Sequence, residues 1–61
     1  MTKYTLMNAI SNSKFAKQCF DNNYAFDIAI AGVTYEVCPE RWTYDNGIGL
    51  YNKSTREISC L

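Results

Sequence analysis

Two alternating runs meet at Ala31-Gly32 and restrict how this chain can form a sheet. On both sides of the dipeptide every second residue is bulky, which is the period of a half-buried strand. A two-residue hairpin loop would place all these side chains on one face, and a shift of one residue would scatter them. The bulky residues are Tyr24, Phe26, Ile28 and Ile30, then Val33, Tyr35 and Val37. The predicted pairs are Ile30 with Val33, Ile28 with Tyr35, and Phe26 with Val37.

The first 23 residues have the apolar spacing of helices. The first apolar set is Leu6, Met7 and Ile10, and the second is Phe15, Ala16, Cys19 and Phe20. The two sets do not share one face of a single helix, but a break near Ser11-Asn12-Ser13 gives each set its own face. Ser13 then caps the second helix, and Asp21-Asn22-Asn23 ends it.

Alternation resumes at residues 41–44, and residues 45–47 can form a three-residue loop with Gly47 in the left-handed conformation. The polar stretch 52–55 can then turn the chain once more. The predicted pairs are Tyr44 with Ile48, Trp42 with Leu50, Ile58 with Leu50, and Cys60 with Ile48. Helices followed by strands predict a small α+β domain over residues 1–61, with one or two short helices packed on a four-stranded antiparallel meander.

The side-chain inventory argues against catalysis and metal binding. The chain has no histidine, so it lacks the commonest general base and the commonest zinc ligand. Cys19, Cys38 and Cys60 form no CxxC pair and have no fourth soft ligand. We therefore expect no catalytic residue, no metal and no cofactor. An odd number of widely spaced cysteines favours reduced thiols and the cytoplasm.

The three cysteines receive different positions from the predicted register. Cys19 lies on the apolar helical face and Cys60 continues the face of Ile58, so both are predicted to be small buried hydrophobes. Cys38 falls on the opposite face of the sheet from the bulky residues. We therefore expect Cys38 to react with a thiol reagent faster than the other two, without being a catalytic nucleophile.

The first hairpin also places Asp27 directly opposite Glu36, and like charges in that arrangement repel. Both carboxylates can be solvated, or one can pair with Lys53 or Arg56. If no cation of the chain lies beside them, a basic residue of a partner protein is the alternative. An acid/base couple is disfavoured because so short a chain has no room for a sugar cleft.

The charge balance restricts the partners. Six basic and six acidic side chains give no net field toward nucleic acid or an anionic membrane. No apolar stretch has the length of a bilayer span or a signal sequence. Lysines at 3, 14 and 17, with Trp42, Tyr44 and Tyr51 as stacking surfaces, leave nucleic-acid binding as the alternative. It is disfavoured because the aromatic residues fit the core register and no RNP string is present.

The chain resembles, in style, the small accessory proteins that bacteriophages and mobile elements make early in infection. It is short, begins at a methionine, lacks a signal sequence and is rich in asparagine and tyrosine. The resemblance implies a protein that acts in the host cytoplasm by binding and inhibiting or modulating a larger host or defence protein.

The predicted function is therefore that of a non-enzymatic protein-interaction module, with a small nucleic-acid-binding regulator as the alternative. A homodimer is also possible, since so small a core gains stability from association. Five tyrosines exceed what a small interior needs, so some should be exposed as anchors. The candidate partner-binding residues are Asp27, Glu36, Tyr4, Tyr44 and Tyr51.

Overall fold

The computed structural model describes residues 1–39 and 47–61, in which two helices precede a four-stranded antiparallel sheet. The helices are α1 (Lys3–Ser11) and α2 (Lys14–Asp21). The strands are β1 (Phe26–Ile30), β2 (Val33–Cys38), β3 (Gly49–Asn52) and β4 (Ile58–Cys60), hydrogen-bonded in that order. The predicted α+β class and antiparallel meander are confirmed.

Both helices begin at a hydroxyl cap. The Thr2 side chain accepts a hydrogen bond from the amide of Thr5, and the Ser13 side chain accepts one from the amide of Ala16. The helix break at residues 11–13 and the cap at Ser13 are therefore confirmed. Asn23, with φ 60°, takes the left-handed conformation just past α2 and ends the helix where the sequence predicted.

The core lies between the helices and one face of the sheet, which we call the inner face. Its buried residues are Leu6, Ile10, Ala16, Phe26, Val37, Ile48 and Leu50. Phe15, predicted to lie on the apolar stripe of α2, is instead 68% exposed. Adjacent residues lie about 100° apart around a helix, so Phe15 points to the side of the face that packs on the core. That face of α2 consists of Ala16, Cys19 and Phe20. No helix in residues 1–39 and 47–61 combines the length and apolarity needed to cross a membrane.

The β1–β2 hairpin has the predicted register. Phe26 pairs with Val37, Ile28 with Tyr35, and Ile30 with Val33. Ala31 and Gly32, with φ 52° and 78°, form the two-residue loop, and left-handed conformations at both positions match the twist of a tight hairpin. Tyr24, predicted on the bulky face, is 68% exposed because it precedes β1 and has no cross-strand partner there.

The β3–β4 hairpin departs from the predicted register by one residue. Ile58 pairs with Tyr51 rather than Leu50, and Cys60 pairs with Gly49 rather than Ile48. The cause is the loop: residues 53–56 separate the Asn52–Glu57 pair, and Arg56 closes the loop with φ 64°. A shift of one residue exchanges the faces, so Ile58 points away from the core and is 62% exposed.

The turn at Asn52 is confirmed, and its geometry explains the loop length. The Asn52 side-chain oxygen accepts hydrogen bonds from the amides of Ser54 and Thr55, and its carbonyl accepts one from Arg56. On its other edge β3 pairs with β2, so Leu50 lies between Val37 and Ser59. The predicted strand at residues 41–44, with its pairs Tyr44 to Ile48 and Trp42 to Leu50, lies outside the described residues.

Candidate functional site

The face of the sheet that points away from α1 and α2 is the candidate site, and we call it the outer face. Side chains alternate along each strand, so the residues between the inner-face positions form it. They are Asp27 and Ala29 of β1, Thr34, Glu36 and Cys38 of β2, Gly49 and Tyr51 of β3, and Ile58 and Cys60 of β4. No described helix covers this face, because both helices pack on the opposite side.

One row of residues crosses all four strands of the outer face. Cross-strand pairing joins Asp27 to Glu36, Glu36 to Tyr51, and Tyr51 to Ile58. The row changes from acidic at β1 to aromatic at β3 and aliphatic at β4. Asp27 and Ile58 are exposed, whereas Glu36 and Tyr51 are half-buried. Such a row offers a charged end and an apolar end to one bound surface.

Lys53 supplies the cation at the acidic end of the row. Its Nζ lies 2.8 Å from Oδ2 of Asp27, and both side chains are about half exposed. The hydrogen bond to Asp27 raises the pKa of Lys53 above 10.5, with the negative charges of Asp27 and Glu36 adding to the effect. Of the alternatives that the sequence left open, pairing with Lys53 is the one observed for Asp27. The condition that no cation of the chain lies beside the carboxylates is therefore not met.

Glu36 has a weaker contact than Asp27. The Cys38 thiol lies 4.0 Å from Oε2 of Glu36, at the limit of a sulfur hydrogen bond. Because Lys53 donates its hydrogen bond to Asp27, the Glu36 carboxylate receives only longer-range attraction from that ammonium group. Glu36 is the carboxylate of the pair that lacks a short ion pair in the described residues.

The cysteines follow the register of the strands. Cys38 lies on the outer face, as predicted, but it is half-buried, as is Cys19. Cys60 is exposed instead of buried, because the shifted register of β4 moves it to the outer face. Its sulfur lies against Gly47, where a Cβ atom would overlap it. The predicted burial of Cys60 is thus wrong, and Cys60 is the exposed cysteine of the three.

The predicted tyrosines do not form one site. Tyr51 lies beside Glu36 on the outer face, whereas Tyr4 is on α1 in the helical layer and is 80% exposed. Tyr44 lies outside the described residues. The prediction that some tyrosines are exposed is confirmed by Tyr4 and Tyr24.

Ile58 was not among the predicted site residues. Its alternation with Cys60 matched an inward strand, and the only contrary signal was Asn52 followed by Ser54 and Thr55. An asparagine in that position can cap its own turn and set the loop length. Lys53 was one of the two cations named as possible partners, and the structure selects it over Arg56 for Asp27.

The rest of the described surface offers an ion pair and an apolar groove. On α2, Lys17 forms an exposed i, i+4 ion pair with Asp21 at 2.9 Å, which neutralises one of the three lysines considered for nucleic-acid binding. A groove of about 460 Å³ is lined mainly by apolar residues, and neither Asp27 nor Glu36 lines it. Those lining residues are Lys3, Met7, Phe20, Asn23, Pro39, Gly47 and Ile48. Within residues 1–39 and 47–61, no three acidic or cysteine side chains come together as a metal site would require.

Comparison with known proteins gives no family model, no curated protein and no solved structure that matches this chain. The geometry of the outer face therefore carries the functional argument.

Proposed function

We propose that this protein is a non-enzymatic interaction module that binds a larger protein through the outer face of its sheet and so inhibits or modulates it. The observation that carries the proposal is the row from Asp27 to Ile58, which crosses all four strands on a face that no described helix covers. Folding alone would favour a charged or polar residue at an exposed strand position rather than Ile58.

The composition of the row suits a protein partner. Interfaces have an apolar centre surrounded by polar residues, with aromatic side chains carrying much of the binding energy. Tyr51 occupies the middle of the outer face, with Ile58 on one side and the carboxylate of Glu36 on the other. A partner that offers an apolar contact to Ile58 and an arginine or lysine to Glu36 fits this surface.

Nucleic acid fits the outer face less well. Tyr51 offers a ring for stacking, but Asp27 and Glu36 lie on the same face and would repel phosphate groups. Lys53 is the one cation paired into this row among the described residues, and Asp27 already neutralises it. The balance of charge therefore supports a protein partner.

The test is capture from a native lysate, with and without nuclease, using wild-type protein and two matched tyrosine variants. Tyr51→Ala removes the ring on the outer face, and Tyr4→Ala removes an exposed ring from the helical layer. We expect a nuclease-resistant protein partner whose affinity falls about thirtyfold in Tyr51→Ala, the loss expected for an interface anchor, and is unchanged in Tyr4→Ala. Thermal melting of each variant confirms that it is folded at the capture temperature.

Two outcomes would contradict the proposal. Loss of the captured material on nuclease treatment would indicate a nucleic-acid-binding protein. Loss of binding in Tyr4→Ala, with Tyr51→Ala unaffected, would move the binding surface to the helices.

A second variant tests the electrostatic part of the surface. Glu36→Gln keeps the Lys53 to Asp27 ion pair and relieves the repulsion between the two carboxylates. We expect a melting temperature that is unchanged or slightly raised, together with slower and less salt-dependent association with the captured partner. Association kinetics at two salt concentrations measure this, and kinetics identical to wild type at both would remove Glu36 from the interface.

A further inference from the structure

The hydrogen-bond alternation of the second hairpin fixes which backbone groups of β4 face outward. Ile48 and Leu61 exchange hydrogen bonds at 2.8 and 3.0 Å, and the amide of Asn52 donates to Glu57 at 2.9 Å. In an antiparallel pair, hydrogen-bonded and non-hydrogen-bonded positions alternate. Ser59 therefore directs its amide and carbonyl toward β3, and Ile58 and Cys60 direct theirs away from it.

β4 is the least covered strand of the sheet. It ends the strand order, and α1 and α2 make close backbone contacts with β1 but not with β4. On the inner side a groove of about 320 Å³ runs beside it, with Tyr35, Leu50 and Ser59 among its lining residues. On the outer side Ile58 is 62% exposed. No other strand in residues 1–39 and 47–61 pairs with the far edge of β4, and an uncharged strand with such an edge is a template for pairing with another strand.

We infer that β4 pairs antiparallel with β4 of a second copy of this chain, with Ser59 on the two-fold axis. In that register Ile58 lies opposite Cys60 of the other copy, and the reverse pair completes the symmetry. All four outward amides and carbonyls of Ile58 and Cys60 then find partners across the axis.

The side chains support self-pairing at this edge rather than at the other. Residues 58–60 carry no charge, so the axis brings no like charges together. Ile58 and Cys60 both lie on the outer face, so each apolar Ile58 would contact a cysteine side chain of the other copy. The open edge of β1 instead carries the Asp27 carboxylate, which protects a strand edge from pairing.

The dimer would join two four-stranded sheets into one and place the two outer faces side by side. A contact of two short strands buries less than the roughly 1,200 Å² of a stable interface, so the association depends on protein concentration. This inference does not depend on the proposed function, because the backbone edge of β4 carries it, although the Ile58 side chain also ends the row across the sheet.

Sedimentation equilibrium tests the inference over a concentration range reaching about 1 mM. We expect the mass to rise from the 7.0 kDa monomer to twice that value. Ile58→Lys should abolish the rise, because a lysine on the edge opposes strand pairing. Tyr4→Lys, a matched change at another exposed position, should leave it unaltered. A mass of 7.0 kDa at every concentration, or a dimer that persists in Ile58→Lys, would overturn the inference.

Disulfide trapping tests the register. The variant Ser59→Cys with Cys60→Ser places its one edge thiol on the axis, where the Cα atoms are about 4.5 Å apart in a non-hydrogen-bonded pair. We expect mild oxidation to link it as a dimer. Wild type should stay unlinked, because Cys60 faces Ile58 of the other copy. A dimer that Ser59→Cys fails to trap would place the contact elsewhere and overturn the inference.

Discussion

The two hairpins of the sheet are both antiparallel, but their registers are set in different ways. In the β1–β2 hairpin a two-residue loop allows one pairing, and the alternation of bulky residues selects the same one. In the β3–β4 hairpin the loop of residues 53–56 can in principle differ in length by one residue. There the hydrogen bonds of Asn52 set the loop length and so the register, which differs by one residue from the register that the apolar pattern favours.

The difference shows what a side-chain pattern can and cannot determine. Alternation determines which residues of one strand share a face. When the length of the connecting loop can vary, alternation does not determine whether that face points toward the core or away from it, because a change of one residue in the loop exchanges the two faces. Ile28 and Ile58 have the same side chain in similar patterns, yet Ile28 packs against the core and Ile58 is exposed.

The largest expected effect contrasts these two isoleucines. Ile28→Asp should lower the free energy of unfolding by about 3 kcal/mol, because it places a carboxylate against the apolar core. Ile58→Asp should change it by less than about 0.5 kcal/mol, as expected at an exposed position. Urea denaturation of both variants measures the difference. An equal loss in both would mean that Ile58 faces the core, as the apolar pattern predicted.

Much of the fold could be predicted because short-range rules determine it. The cap at Ser13, the helix end at Asn23 and the loop at Ala31-Gly32 each depend on neighbouring residues. The exposure of Phe15 depends on how α2 packs on the sheet, and that of Tyr24 depends on where β1 begins; the local apolar pattern encodes neither.

The candidate site was predicted in part for the same reason. The first hairpin placed Asp27 opposite Glu36, and Lys53 was among the expected cations. The place of Tyr51 beside Glu36 follows from the pairing of β2 with β3, which are distant in sequence, and the place of Ile58 follows from the length of the loop after Asn52.

Intermediate effects are expected from the loops, where each hairpin holds one non-glycine residue in the left-handed conformation. Ala31→Asn and Arg56→Gly should each raise the free energy of unfolding by about 0.5 kcal/mol, because asparagine and glycine tolerate positive φ. Gly32→Ala should lower the free energy of unfolding by about 1 kcal/mol, because φ is 78°, a conformation that alanine rarely adopts. No atom lies within 4 Å of the added Cβ, so the loss comes from the backbone and not from a steric clash. Chemical denaturation checks all three. A loss of stability in Arg56→Gly would contradict the loop geometry of the second hairpin.

The smallest effect concerns the ion pair that ties the second hairpin to the first. The pKa of Lys53 is raised in the folded chain, so its stabilising contribution is complete below pH 10.5 and is lost as pH rises through the folded pKa. We expect wild type to lose stability above pH 10.5 more steeply than Lys53→Met. Subtracting the two stability profiles removes the titration of the tyrosines that both proteins share. Parallel profiles would show that Lys53 and Asp27 do not interact in solution.

The register of the second hairpin underlies the proposed binding face and the proposed dimer, and one NMR measurement reads it directly. Facing residues of a non-hydrogen-bonded antiparallel pair bring their Hα atoms close together. The structure makes Tyr51 and Ile58 such a pair. We expect a strong Hα to Hα nuclear Overhauser effect between Tyr51 and Ile58. A strong effect between Leu50 and Ile58 instead would place Ile58 in the core and contradict both the observed register and the two proposals that depend on it.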